Sequence, residues 1–232
     1  MPTYFVSDIH LRLDHPERSQ RFARWVAARA PADALYIVGD LCDFWFSARQ
    51  SRRDPMACEG LRSLADFASR GGSLTILLGN HDNWLGPLYR EKLGARLMPE
   101  PLDVEVGDRR YHLVHGHLLG GRSRWKGWME GEGFFHAFGA LPHPAAWVLA
   151  NGLEHVNEAR LEASHRRHLA VYRDYVDALP GLPHAAVMGH VHLTLDEPRP
   201  NGARMIVLGS WHGQSSYLFA DDEGDRQVVE PR

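Results

Sequence analysis

Six short, unbroken apolar stretches punctuate the chain, at residues 3–7, 34–38, 74–78, 111–114, 185–188 and 205–208. Stretches of this length without polar alternation fit strands buried on both faces. Between the first two, residues 16–30 set Phe22, Trp25 and Val26 at helical spacing. Between the next two, residues 56–70 put Leu61, Leu64 and Ala65 on one helical face, closed by Gly71-Gly72. Strand, helix, strand, helix, strand predicts an α/β protein on a mainly parallel sheet. Such sheets gather ligands in the loops beyond the carboxyl ends of their strands.

Those loops begin with metal-binding residue types: Asp8-Ile9-His10, Gly39-Asp40-Leu41-Cys42-Asp43, Gly79-Asn80-His81-Asp82, His115-Gly116-His117 and Gly189-His190-Val191-His192. Carboxylate, amide oxygen and imidazole together suit Mn, Fe, Zn or Mg rather than a thiolate-type site. Two divalent ions roughly 3.5–4 Å apart clamp a phosphoryl group from both sides, and one carboxylate has to bridge them. In the third motif Asn80 offers a neutral oxygen, His81 an acid, and Asp82 a group to orient its imidazole. Asp-x-His alone arises often by chance, and a single histidine after a strand is commonly structural. Five motifs in order, each behind an apolar run, carry far more weight. Asp43 either holds a ligand imidazole in its metal-binding tautomer or caps its loop. His212, after Gly209-Ser210-Trp211, either approaches the same edge or serves packing and hydrogen bonding.

The alternation breaks at residues 118–181, where Trp125, Trp128, Phe134, Phe135, Phe138 and Trp147 precede a charged helical stretch at 154–175. This predicts a mostly helical insertion into a single domain spanning 1–232, either a cap over the site or a helix pair packed on the core. Its apolar part either buries an acyl chain, dips into a membrane interface, or packs internally. Arg122, Arg124 and Lys126 follow the His115 loop, where they receive a second phosphate or line a solvated loop. Arg166 and Arg167 contact phosphate or a headgroup, or form a solvated helix face.

Composition narrows the class. The 232 residues are 44% hydrophobic and 24% charged, as in soluble globular proteins. A net charge of −3 gives no basic field for nucleic acid, so no nucleic-acid partner is expected. Two cysteines make no disulfide framework, the chain reaches Asp8 too soon for a signal peptide, and no run approaches the roughly 18 apolar residues of a membrane span. The expected location is the cytoplasm.

The ordered motifs resemble those of the calcineurin-like metallophosphoesterase superfamily: Asp-x-His, Gly-Asp-x-x-Asp, Gly-Asn-His-Asp, His and Gly-His-x-His. The resemblance implies a four-layer α/β/β/α sandwich with a helical cap at 118–181, and a dinuclear site for two divalent ions, Mn2+ foremost, with Fe, Zn or Mg as alternatives. It implies Asp8, His10, Asp40 and His192 on one metal, with Asp40 as bridge, Asn80, His115 and His190 on the other. Water activated by the metals would attack phosphorus in line, while His81, oriented by Asp82, stabilises charge or protonates the leaving oxygen.

Within the superfamily, Asp8-Ile9-His10-Leu11, residues 32–41, Asp43-Phe44-Trp45-Phe46 and Leu208-Gly209-Ser210-Trp211-His212 are most similar to the UDP-2,3-diacylglucosamine hydrolases of lipid A synthesis. That implies a lipid-linked sugar nucleotide as substrate, UMP and lipid X as products, and peripheral inner-membrane contact through the cap. Two positions depart from that pattern. His81 stands where well-known members carry Arg, and His117 where Asp is usual. A general phosphodiesterase or phosphatase acting on nucleotides or phosphoproteins is the rival. A non-catalytic binding scaffold is disfavoured by the complete ligand set.

Overall fold

The computed structural model describes residues 1–121, 131–146, 148, 161–212 and 214–230. Its strands are β1 (Thr3–Val6), β2 (Ala34–Val38), β3 (Ser73–Leu77), β4 (Arg96–Met98), β5 (Leu102–Val106), β6 (Arg109–Val114), β7 (Ala185–Met188), β8 (Thr194–Pro198), β9 (Arg204–Leu208), β10 (Ser215–Ala220) and β11 (Asp225–Glu230). The α-helices are α1 (Pro16–Ala27), α2 (Glu59–Ser69), α3 (Gly86–Leu93), α4 (Glu132–Ala140) and α5 (Leu161–Asp177).

Each of the six apolar runs coincides with a strand, yet they form two sheets rather than one. The first runs β11-β10-β1-β2-β3-β4 and the second β5-β6-β7-β9-β8. The centres, β1 to β4 and β6, β7 and β9, are parallel; β10, β11, β5 and β8 add antiparallel edges. Edge strands escape a search for continuous apolar runs because only part of each is buried, as in β5, where Val104 and Val106 alternate with exposed Asp103 and Glu105.

Two-sided burial explains the continuous runs. In β1, Phe5 faces the second sheet while Val6 faces the helices; in β2, Val38 and Ile37 divide the same way. In β7 and β9, Ala185, Val187, Ile206 and Leu208 point between the sheets, and Ala186, Met188, Met205 and Val207 point outward. Helices α1, α2 and α3 cover the first sheet through Phe22, Leu61, Leu64 and Tyr89. Tyr172 and Val176 of α5 cover the second. The chain is therefore a four-layer α/β/β/α sandwich.

The packing of α5 divides the 118–181 span. Its end is core, because Tyr172 and Val176 are fully buried against the second sheet. Helix α4 instead builds a separate apolar cluster, with Phe135 and Phe138 on Trp45 and Ala48. Arg49 anchors it by donating to the carbonyls of Phe138 (3.2 Å) and Leu141 (2.8 Å). Trp125, Trp128 and Trp147 lie outside the described residues. Among the described residues no helix is long and apolar enough to cross a membrane.

A polar clip joins the two sheets. Asp225 of β11 accepts hydrogen bonds from Tyr111 of β6 (2.7 Å) and Arg204 of β9 (2.5 Å), and meets His184 Nε2 at 2.7 Å. Burial works against the ionised carboxyl, but Arg204 and Tyr111 outweigh it and hold its pKa below the usual range. A depressed carboxyl pKa stabilises the fold above the unfolded value and loses that effect as pH falls through the folded one. Asp225→Asn should therefore cost about 1–3 kcal/mol in urea unfolding at neutral pH. The deficit should shrink as pH drops below about 4; a deficit independent of pH would mean that the ion pair contributes nothing.

Candidate metal centre

All five motifs follow parallel strands at the same edge, three from the first sheet (β1, β2, β3) and two from the second (β6, β7). Close approach of these loops needs glycine. A Cβ on Gly79 would land on Asp40 Oδ1, and one on Gly189 would strike Ser7 Oγ and come within 2.7 Å of Asp8 Oδ2. Five non-glycine residues of these motif loops also sit in the left-handed region: Asp8 (φ 54°), His10 (51°), Asp40 (53°), His190 (69°) and His192 (57°). Each costs about 1–2 kcal/mol. Such strain persists where surrounding structure imposes it, typically at functional sites.

The loops tie down one side of each ligand group and leave the other side open. Asp8 Oδ2 accepts from Ser7 Oγ (2.6 Å) and the His190 amide (2.9 Å), while Oδ1 lies 3.2 Å from His192 Nε2 and 3.7 Å from His10 Nε2. Asp40 Oδ1 accepts from the His81 amide (2.9 Å), while Oδ2 faces His115 Nε2 at 3.4 Å and His10 Nε2 at 4.0 Å. His115 Nδ1 donates to the Val38 carbonyl at 2.8 Å, which turns Nε2 toward Asp40.

Three groups result, each able to bring one ligand atom per residue within 4.8 Å of the others: Asp8 with His10 and His192, Asp40 with His115 and His190, and His10 with Asp40 and His81. Asp40 belongs to two of them. Asp8 Oδ1, Asp40 Oδ2, Asn80 Oδ1 and His115 Nε2 are all buried without a hydrogen-bond partner. An unpaired buried polar atom costs about 1–3 kcal/mol, so four in one place mark a site shaped for something else to bind. Oxygen and imidazole donors with free lone pairs fit divalent cations.

Electrostatics agree. Burial alone would raise both carboxyls, but His10 and His192 hold Asp8 well below its usual range, and His115 and His81 do the same for Asp40. Against its own burial, His115 is raised to about 10, chiefly by Asp40. Burial and the neighbouring His115 push His190 well down.

The remaining residues divide. Asp82 is fully buried and accepts from Leu41 N (2.8 Å), Cys42 N (3.3 Å), Gly79 N (2.9 Å) and Tyr89 Oη (2.8 Å), so it braces the β2 and β3 loops against each other rather than orienting His81. His81 Nδ1 instead accepts from the Phe44 amide at 3.3 Å and lies 3.9 Å from Asp43 Oδ2. Asp43 caps its own loop by accepting from the Trp45 amide (2.7 Å), and at 3.9 Å it makes no hydrogen bond to His81. His117 Nδ1 lies 3.4 Å from Glu100 Oε1, and Glu100 Oε2 accepts from the His115 amide at 2.6 Å. The His212 ring reaches the edge, 5.1 Å from His10 and 5.4 Å from His192. Arg166 and Arg167 are exposed on α5. Arg122, Arg124 and Lys126 lie outside the described residues.

Several neighbours were not singled out from the sequence. Ser7 and Glu100 carry no motif. Tyr172 donates to the Gly189 carbonyl at 3.1 Å, and the His168 ring stands 5.5 Å from His190. Arg18 donates to the His10 carbonyl at 2.7 Å. Helical registration against the sheets brings Tyr172, His168 and Arg18 to the site.

Comparison with known proteins agrees with the geometry. The profile of the calcineurin-like phosphoesterases matches residues 1–213. The chain is a calcineurin-like phosphoesterase. As such it is a hydrolytic enzyme, and the family implies divalent metals. This phosphoesterase is similar to the UDP-2,3-diacylglucosamine hydrolase of Aeromonas hydrophila, with 30% identity over 94% of each chain. It is also similar to those of Stenotrophomonas maltophilia (29%, over 97% of this chain and 96% of that one) and Pseudomonas aeruginosa (28%, over 100% of both).

Gly79→Ala should push Asp40 out of place and remove most of the divalent metal retained after metal loading and dialysis, measured by elemental analysis, with circular dichroism unchanged. Retention of the wild-type metal content would show that the loops can part.

Proposed function

We propose that this phosphoesterase cleaves the diphosphate of UDP-2,3-diacylglucosamine, releasing UMP and 2,3-diacylglucosamine 1-phosphate, lipid X. The observation that carries this is the extent of the similarity to hydrolases of that name. It runs over 94–100% of both chains and so is not confined to the metal-binding motifs.

In this proposal Asp8, His10, Asp40 and His192 hold one divalent ion, and Asp40, Asn80, His115 and His190 hold the other. Mn2+ is the first choice. When bound, such ions lower the pKa of water and neutralise phosphoryl oxygens. The protein's part is orientation. Ser7 and the His190 amide fix Asp8, Val38 fixes the tautomer of His115, and Asp82 fixes the two loops that present Asp40 and Asn80. Because the Phe44 amide donates to His81 Nδ1, the N–H of His81 sits on Nε2, placed to donate a hydrogen bond that stabilises charge on the leaving oxygen.

Beside His81 an aromatic cluster with exposed Trp84 at its edge adds support for a lipid. Phe44 packs on Phe134 and Phe138, and Trp84, 37% exposed, approaches Phe135. Acyl chains laid there would reach His81 through Phe44. Exposed Leu118 and Val148 would serve the same segment's peripheral contact with a membrane from the cytoplasm.

His81 itself favours a second reading. A histidine in the place of the arginine of well-known diacylglucosamine hydrolases suits a broader phosphodiesterase. With Mn2+ present, the lipid reading expects kcat/KM to fall steeply as the acyl chains are shortened; equal turnover of a small aryl phosphodiester would favour the broader enzyme. Hydrolysis in 18O water with both products weighed locates the attacked phosphorus, and absence of turnover would remove the lipid substrate. His81→Ala should lower kcat by about 10²–10⁴-fold while metal content is retained; wild-type turnover would take His81 out of the chemistry.

A further inference from the structure

Beside the ligand loops lies a cation that no motif contains. Arg18 stands in the first turn of α1, half-buried, with Nη1 on the carbonyl of His10 at 2.7 Å. Its neighbours are differently engaged. Arg12 pairs with Asp14 at 2.6 and 3.0 Å, and Arg21 donates to the carbonyl of Trp211. Arg18 makes no ion pair within 4.0 Å among the described residues. The nearby carboxylate Asp43 is already committed to the Trp45 amide and lies 3.9 Å from Arg12.

The surroundings fix where this guanidinium can act. Its acceptor is the backbone of His10, whose ring touches those of His192 and His212 at 4.9 and 5.1 Å. The Trp211-His212 turn is held in turn by the Trp211 amide donating to the Asp8 carbonyl at 3.1 Å. Arg18 and His212 thus both border the Asp8, His10 and His192 group, Arg18 at the His10 backbone and His212 at the His10 and His192 rings. A guanidinium has five N–H donors, and among the described residues one of Arg18's has an acceptor, the His10 carbonyl. Withdrawing such a group from water without an anion is costly, and planar donors grip phosphate bidentately.

We propose that Arg18, with His212 beside it, receives the second phosphoryl group of a diphosphate whose first is held at the metal centre. This rests on the diphosphate-hydrolase reading above. In a diphosphate the neighbouring phosphorus lies one bridging oxygen from the one attacked, so a cation one residue layer outside the ligands distinguishes a diphosphate from a single phosphodiester. Arg18 is then a substrate-positioning and specificity-determining residue.

The test uses the Mn2+-loaded full chain and the variants Arg18→Gln and Arg18→Lys. For wild type and variants, kcat/KM is measured for a UDP-sugar diphosphate and for thymidine 5′-(p-nitrophenyl phosphate), which has a single phosphorus. Arg18→Gln should lower the ratio of the two by at least about tenfold, mainly through KM, with Arg18→Lys between it and wild type. In parallel, inhibition by inorganic pyrophosphate should weaken in Arg18→Gln more than inhibition by orthophosphate. Equal losses on both substrates and both inhibitors would make Arg18 a structural support of His10 and overturn the proposal. If wild type fails to cleave any diphosphate but the selective loss of pyrophosphate inhibition persists, the subsite stands and the hydrolase reading falls.

Discussion

The site depends on half-satisfied ligands. Asp8 and Asp40 each have one carboxylate oxygen fixed by protein donors and one left without a partner, and His115 has one ring nitrogen fixed and the other bare. This is costly in a desolvated interior. It also confers precision, because an ion arriving there finds lone pairs already aimed and has little to reorganise. The left-handed ligand residues, the glycines pressed against carboxylates and the fully buried Asp82 brace all sustain that one arrangement.

Division of labour between the sheets follows. Their cores need only apolar side chains pointing both ways, and these force each parallel strand to end abruptly where polarity begins. Chemistry is then added at the ends without disturbing the packing. Outer helices reinforce it through hydrogen bonds to ligand-loop carbonyls, Arg18 from α1 to His10 and Tyr172 from α5 to Gly189.

What could be read from the sequence was what burial and ligand chemistry impose locally. Doubly buried strands leave continuous runs such as 34–38 and 185–188, and ligands must follow them directly, so the central strands and the Asp, Asn and His positions were visible. Edge strands were not, because a strand such as β8 buries too little to leave a run. Nor was the split into two sheets, which depends on partners far apart in the chain. Asp82 invited a role beside His81 because the two are adjacent, yet successive residues point different ways, and Asp82 turns into the protein. Glu100 and Arg18 reach the site only through tertiary approach.

The candidate ligands are split between the two sheets: Asp8, His10, Asp40 and Asn80 come from the first, and His115, His190 and His192 from the second. An ion coordinated from both would therefore be a staple across the sandwich, adding its binding free energy to sheet cohesion. Linkage is reciprocal. A substitution deep between the sheets, at Val187 or Ile206, would thus be felt as weaker metal affinity, and metal supply in the cell would set how long the folded chain survives.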